Sequence, residues 1–217
     1  MACALLLVSV QLPFSPFSQE KPEEKKIESP VKGWWRVSYF GVPPTRYMPS
    51  GRGMIKAESL GSRASLFRRV DDKEKDFPIL AWKWKISNVV RSAIESRKDR
   101  FDAAARVMVV FGKGGFFSGI EGMEPRGVKI EYIWATHLPK GHVFDHPGEG
   151  DCKVFVLESG EKKAGDWMSE ERNLVKDFKM AFGTEAPDRS AIGLQTDTDH
   201  SNEKVTAFYS EPVLRKK

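Results

Sequence analysis

Histidines and carboxylates clustered in one stretch are the first candidates for chemistry in this sequence. The stretch THLPKGHVFDHPGEGD ends at Asp151 and contains three of the four histidines. Its candidate groups are His137, His142, His146, Asp145, Glu149 and Asp151. Imidazole and carboxylate groups bind zinc and act as acids or bases in hydrolases. Pro139 and Pro147 rule out helical ligand spacing, so the stretch from His137 to Asp151 favours a polar loop between strands over an active site.

A second candidate is the acidic run LQTDTDHSNEKV near the end of the chain. Asp197 and Asp199 stand two residues apart, with Asn202 and Glu203 shortly after them. Carboxylate and amide oxygens bind calcium, but the run lacks the glycine and the distal glutamate of an EF-hand. Because Asp, Ser and Asn form turns, the run favours a β-hairpin tip. A structural calcium at Asp197 and Asp199 is the alternative, and no other cofactor is expected.

Aromatic side chains in two β-like runs form a third candidate, a platform for sugar rings. The four residues are Trp82, Trp84, Tyr132 and Trp134. Aromatic faces suit the C–H faces of sugars. The residues that alternate with them on the same strand faces are apolar: Leu80, Ile86 and Ile130. This alternation favours a core position for at least two of the four.

Arg106 and Glu131 complete the set of candidate ligand-binding residues. Arg106 stands in the run ARVMVVF, where alternation with Val107 places it on the outward face together with Met108. A strand arginine beside aromatic residues is a reasonable binding group. Pairing with a nearby acid such as Glu131 is the competing interpretation.

Standard catalytic signatures are missing, and the charge pattern points away from nucleic acid. There is no G-x-S-x-G elbow, no H-E-x-x-H helix and no C-x-x-C pair. The Gly-rich run from Gly112 to Gly119 lacks the Lys-Ser/Thr ending of a phosphate-binding loop. The chain has 217 residues, 35 basic against 30 acidic, and a net charge of +5. Since the basic residues are spread along the whole chain, no nucleic-acid partner is expected.

Short β-like runs position these candidates. Nine runs are predicted: WRVSYF, GMIKAESL, ASLFRRV, ILAWKWKI, ARVMVVF, VKIEYIWA, KVFVLES, AIGLQTD and VTAFYSE. Two segments are predicted as helices, a weak one over 87–99 and a stronger one capped by Ser169 and closed by Gly183. Many strands without strand–helix alternation favour a mostly β fold, a two-sheet antiparallel β-sandwich with one or two short surface helices.

The N-terminal region predicts export. Residues 1–18 contain a short apolar run, too short to span a bilayer and typical of a secretory signal. Residues 19–32 are charged and contain proline, which predicts a disordered tether. A single β-sandwich domain would occupy residues 33–217, with no transmembrane span, in the periplasm or cell envelope.

Removing the segment before Pro30 is expected to leave the melting temperature nearly unchanged, because neither the signal-like apolar run nor the charged tether is expected to be part of the fold. Thermal unfolding of the full and shortened chains measures this. A fall of many degrees would mean that these residues pack against the domain.

Across roughly Trp34 to Tyr209 the chain resembles the bacterial domain-of-unknown-function family 3047. The pieces that carry the resemblance are LAWKWKI, AARVMVVF, EYIWA, ERNLVKDFKMAFG and LQTDTDHSNEKVTAFYSE. The family's last motif reads like D-T-D-N-T-G, where this chain has His200, Ser201 and Asn202 in place of N-T-G. The resemblance implies a fold rather than an activity, and its final strands resemble those of jelly-roll, galactose-binding-like modules.

Together these observations favour an exported β-sandwich that binds a glycan or another cell-envelope ligand. The expected ligand-binding residues are Trp82, Trp84, Arg106, Glu131, Tyr132 and Trp134. The alternative is an envelope enzyme acting on polysaccharide through the loop from His137 to Asp151. A purely structural or partner-binding module is a third interpretation.

Overall fold

The computed structural model describes residues 31–112 and 122–216. The predicted signal 1–18, most of the tether 19–32 and most of the Gly-rich run lie outside the described residues. The described strands are β1 Trp35–Ser38, β2 Arg46–Pro49, β3 Met54–Leu60, β4 Arg63–Arg69, β5 Ile79–Ile86, β6 Ala103–Phe111, β7 Val128–Ala135, β8 Val143–Asp145, β9 Cys152–Ser159, β10 Met168–Asn173, β11 Arg189–Asp197, β12 Lys204–Ser210 and β13 Val213–Arg215. The helix α1 spans Leu174–Phe182.

The strands form two facing sheets, which confirms the predicted β-sandwich. One sheet has seven strands in the order β1-β4-β11-β6-β7-β9-β8, and the other has six, β10-β5-β12-β3-β2 with β13 also paired to β5. Neighbouring strands are antiparallel except β7 and β9, which are parallel. The short strands β2, β8, β10 and β13 were not predicted, because each is too short or too polar to show a clear alternation.

The tryptophans of β5 lie between the two sheets. Trp82 is 3% and Trp84 is 0% exposed, while the intervening Lys83 faces solvent. Their indoles contact the facing strand β7, with ring centroids 5.4 Å apart for Trp82 and Tyr132 and 6.1 Å apart for Trp84 and Trp134. The predicted core position of these aromatics is confirmed. The sugar platform proposed for the same four residues is wrong, since the second sheet covers their faces.

The helix α1 ends as predicted but begins later. Gly183 adopts a left-handed conformation with φ 72° and donates its N–H to Lys179 O, closing the helix. Asn173 caps the first turn by accepting from the N–H of Lys176 at 3.1 Å. Ser169 is not a cap, because residues 168–173 form β10 and pair with β5. No helix in the described residues has the length and hydropathy of a membrane span.

The second predicted helix, over 87–99, is wrong. Only a single 3₁₀ turn at Lys98–Arg100 forms there. The backbone of this segment instead forms hydrogen bonds with the carboxylate of Glu203, which is distant in sequence. Glu203 accepts the N–H groups of Arg91 and Ser92 at 3.0 and 2.8 Å, so tertiary contacts replace the helical hydrogen bonds that the weak pattern suggested.

The predicted hairpin around Asp197 and Asp199 is also wrong. Strand β11 belongs to the seven-stranded sheet, where it pairs with β4 and β6. Strand β12 belongs to the other sheet, where it pairs with β3 and β5. The six residues between them therefore cross from one sheet to the other, with Asn202 at a positive φ of 57°. Neighbours in sequence are not neighbours in the sheet at this point.

Candidate functional site

Polar side chains line the outer face of the seven-stranded sheet, on the side away from the sandwich core. On each strand they alternate with core residues, as Arg106 alternates with Val107. The polar set comes from four adjacent strands: Arg63, Ser65, Arg106, Glu131, Gln195 and Asp197. All except Arg63 are at most 4% exposed. Buried charges on the outer face of a sheet are unusual and point to a specific role.

Arg106 is the centre of this polar set. Its Nε and Nη2 donate to the two carboxylate oxygens of Asp197 at 3.1 and 2.9 Å. Its Nη1 donates to Glu131 Oε2 at 3.0 Å, which confirms the predicted pairing with Glu131. Nη2 also donates to Phe101 O at 2.7 Å, and the guanidinium lies 4.1 Å from the centre of the Phe101 ring. One arginine therefore holds two buried carboxylates in a fixed arrangement.

The environment keeps Glu131 and Arg106 ionised. Burial alone would raise the pKa of Glu131, but the Arg106 guanidinium outweighs it and leaves the pKa below its ordinary value. Burial opposes the charge of Arg106 in the same way, while Asp197 and Glu131 raise its pKa above the ordinary value. These groups are therefore suited to fixed hydrogen bonding and not to proton transfer.

A cleft of about 140 Å³ opens over the network. Arg106 and Asp197 lie at its floor, and Phe101 gives it an apolar wall. The remaining polar groups around it are Arg63, Lys98, His146, Glu149 and His200. The cleft thus combines charged donors, two carboxylates, two imidazoles and one phenyl ring.

Arg63 brings a free donor to this cleft. Its guanidinium stacks 4.1 Å from the centre of the Tyr39 ring. Tyr39 Oη is in turn hydrogen-bonded to Ser65 Oγ at 3.1 Å. Arg63 Nε is buried and has no hydrogen-bond acceptor within residues 31–112 and 122–216. A ligand oxygen at the cleft would satisfy it, since buried donors are nearly always bonded.

Of the three histidines in the loop, only His146 reaches the cleft. Its ring meets Phe101 edge-on at 4.8 Å, and its Nδ1 accepts from the N–H of Gly148 at 3.0 Å. Burial lowers the pKa of His146, although Glu131 opposes the shift. His142 stacks on Phe144 at 5.7 Å. The loop therefore does not gather its histidines into one catalytic group.

The structure separates Asp197 from Asp199. Asp197 accepts the Arg106 guanidinium with both oxygens and also the N–H of Ala103 at 3.0 Å. A cation at Asp197 would have to displace that guanidinium. Asp199 lies with Asp102 and His200, each offering one potential ligand atom within 4.8 Å of the others.

Around Asp199 the hydrogen bonding is incomplete. His200 Nδ1 lies 3.0 Å from Asp102 Oδ1 and 3.8 Å from Asp199 Oδ1. Asp199 Oδ1 is buried and has no hydrogen-bond donor in the part of the chain described. A structural calcium at Asp197 and Asp199 stays a prediction.

Replacing Asp199 by Asn is expected to raise the melting temperature at neutral pH. Burial and then the charge of Asp197 raise the pKa of Asp199, so its ionised form disfavours the fold. A carboxyl with a raised folded-state pKa contributes stability below its unfolded pKa of about 3.9 and loses it as the pH rises through the folded value. The advantage of Asn should therefore vanish in acid.

Thermal unfolding of parent and Asp199→Asn between neutral and acidic pH, with and without calcium, measures this. A bound cation would produce the opposite result. Calcium would then raise the melting temperature of the parent, and Asp199→Asn would melt lower.

Sequence reasoning missed Arg63, Phe101 and Asp102 as parts of this region. Arg63 and Ser65 alternate with Ala64 and Leu66, so a polar face of β4 was readable from the sequence. Phe101 and Asp102 stand in a segment without periodicity, and their roles depend on residues up to 99 positions away. No local pattern could have revealed them.

Comparisons with known proteins concern the fold and the family. One similar solved structure is the xyloglucanase domain of NopAA, a type three effector from Sinorhizobium fredii. The match has a TM-score of 0.46 and 10% sequence identity, and it covers 86% of this chain and 95% of that chain. The family 30 carbohydrate-binding module of the cellulosomal cellulase Cel9D-Cel44B of Clostridium thermocellum has TM-score 0.41 and 9% identity, covering 85% and 93%. No curated protein matches the chain.

The family comparison covers nearly all of the described domain. Residues 32–213 match the profile described as protein of unknown function (DUF3047). This agrees with the resemblance in the motifs of β5, β6, β7, α1 and β11–β12. The chain therefore belongs to the DUF3047 family.

Proposed function

We propose that this domain is a non-catalytic binding module for a glycan or another hydroxyl-rich component of the cell envelope, held in the cleft over Arg106. The observation that carries the proposal is the cleft floor of Arg106 and Asp197, which Glu131 holds in place from below through its ion pair with Arg106. Its groups are fixed by one another, so they give the cleft a rigid, charged floor that need not be ordered when a ligand binds. Ligand-binding sites typically combine a few fixed polar groups with apolar walls.

The surroundings of the network suit a sugar. Arg63 Nε is a buried donor without an acceptor in the described residues, and Lys98 and Glu149 add a cation and a carboxylate at the rim. Hydroxyl groups both donate and accept, so they can satisfy this mixed set. Phe101, which is 4% exposed, adds a small apolar contact at the wall.

The same groups favour binding over hydrolysis. Glycoside hydrolysis needs a carboxylic acid with a raised pKa opposite a second carboxylate. Here Glu131 has a lowered pKa and Asp197 is held by both arms of Arg106. Location in the periplasm or cell envelope is part of the proposal and rests on the apolar run in residues 1–18 and the charged tether 19–32.

A glycan-array screen of the full chain, with a parallel reducing-end assay, tests the proposal. Titration calorimetry on a retained glycan then compares the parent with Arg63→Ala and Lys98→Ala. Each variant is expected to weaken binding about 10-fold, the scale of one charge-assisted hydrogen bond. The control is Lys73→Ala, which removes an exposed lysine that does not line the cleft.

Two results would overturn the proposal. The first is a full chain that retains no glycan, or variants that bind as tightly as the parent. The second is the release of reducing ends, which would make the domain an enzyme.

A further inference from the structure

A row of side chains crosses the solvent-facing side of the six-stranded sheet. In order across the sheet it consists of Met48, Lys56, Phe208, Lys85 and Trp167, which we call the transverse row. Strand pairing sets Lys56 opposite both Met48 and Phe208, and sets Phe208 opposite Lys85. Trp167 directly precedes β10, which pairs with β5. The row thus alternates apolar and cationic side chains over four strands.

At one end of the transverse row, a lysine lies between two aromatic rings. The Nζ of Lys85 is 4.9 Å from the centre of the Phe208 ring and 5.2 Å from that of Trp167. The two rings are 6.3 Å apart, and Trp167 is 42% exposed. Within residues 31–112 and 122–216, no carboxylate lies within 4 Å of the Lys85 ammonium. An ammonium without a carboxylate partner can bind an anionic group. The adjacent aromatic faces can contact the ring that carries this group.

A groove adjoins this end of the row. It has a volume of about 510 Å³, within the usual range for ligand pockets. It forms because β12 pairs with β5 only as far as Trp84 and β13 resumes pairing at Ala81. Trp82 lines this groove, and its buried Nε1 has no acceptor among the described residues.

The walls of the groove are polar and of mixed charge. The polar side chains that line them are Lys83, Ser169, Glu170, Glu171, Ser210, Glu211 and Arg215. Hydroxyl groups can pair with all of these. Three glutamates outnumber the two cations in this lining, so the groove would repel a second anionic group and favours a neutral, polyhydroxylated sugar.

We propose that this face binds an acidic polysaccharide, with a uronate carboxylate on Lys85 beside Trp167 and Phe208 and a neighbouring neutral sugar in the groove. The ammonium supplies the charge, and the two rings supply apolar faces for the C–H side of the sugar. This site lies on the opposite sheet from the cleft over Arg106, so it does not depend on the cleft. The two proposals can fail separately.

The test is titration of the full chain with a glucuronoxylan oligosaccharide, which carries one uronate on a chain of neutral sugars, followed by calorimetry and tryptophan fluorescence. The methyl-esterified form of the same oligosaccharide is the ligand control, because it keeps the sugar and removes the charge. Esterification, Lys85→Ala and Trp167→Ala are each expected to weaken binding about 10-fold or more. Added salt is expected to weaken it as well.

Matched variants separate the outcomes. Lys204→Ala removes an exposed lysine from the end of β12 and should bind like the parent. Unchanged melting temperatures would confirm that Lys85→Ala and Trp167→Ala fold. The proposal is overturned if the uronate-bearing oligosaccharide does not bind, if the Lys85 and Trp167 variants bind normally, or if the methyl-esterified form binds as tightly.

Discussion

Replacing Arg106 by Met is expected to lower the free energy of unfolding by about 3–5 kcal/mol. The substitution keeps the volume of the side chain stem but leaves Asp197 and Glu131 buried without their cation. Both carboxylate side chains are at most 4% exposed, so water cannot compensate. Urea unfolding of the parent and the variant at neutral pH measures the loss.

The exposed pair Arg97–Asp99 provides the control. Its N–O distance of 2.6 Å is short, but the two side chains are 55% and 66% exposed. Arg97→Ala should therefore cost under about 1 kcal/mol. Replacing Asp197 and Glu131 by Leu together with Arg106→Met should recover much of the lost stability, since it removes the unpaired charges. Equal costs for Arg97→Ala and Arg106→Met would contradict the role of burial.

The same network predicts a pH dependence. The pKa of Glu131 is lower in the fold than its ordinary value of about 4.3, so its contribution is present above that value and lost as the pH falls through the folded one. The parent should therefore lose stability in acid more steeply than the Arg106→Met variant. Urea unfolding from neutral pH into this acidic window gives both slopes, and parallel slopes would contradict the ionised network.

Trp84→Ala is expected to cost about 3–5 kcal/mol, the range for a large aromatic removed from a core. Trp84 is fully buried and meets Trp82 edge-on, with ring centroids 5.5 Å apart. Its Nε1 also donates to Glu170 Oε1 at 3.3 Å. The variant leaves a cavity between the sheets, which denaturant unfolding measures.

Trp167→Ala is the matched control for this prediction. It removes the same side chain from the solvent-facing side of the six-stranded sheet, where Trp167 is 42% exposed. A surface substitution of this kind should change stability by about 0.5 kcal/mol. If Trp84→Ala were as stable as Trp167→Ala, the indole of Trp84 would not be part of the core.

The sequence by itself determined the strands that bury one face and the class of fold. In ILAWKWKI the alternation of large apolar residues with lysines already specifies a half-buried strand, because side chains in a strand point to opposite faces in turn. The same rule placed Arg106 with Met108 on the outward face. Gly183 also marked the end of α1 correctly, since glycine adopts the left-handed conformation without strain.

Only the tertiary structure decided which strands pair and which polar groups meet. Asp197 and Arg106 are 91 positions apart, and β11 and β12 enter different sheets although six residues join them. Lys85 reaches Phe208 through the register of two strands that are distant in sequence. Alternation reports which face a side chain occupies but contains no information about the partner strand. Pairing is set by the long-range packing of both sheets, so the ion network and the transverse row exist only in the folded domain.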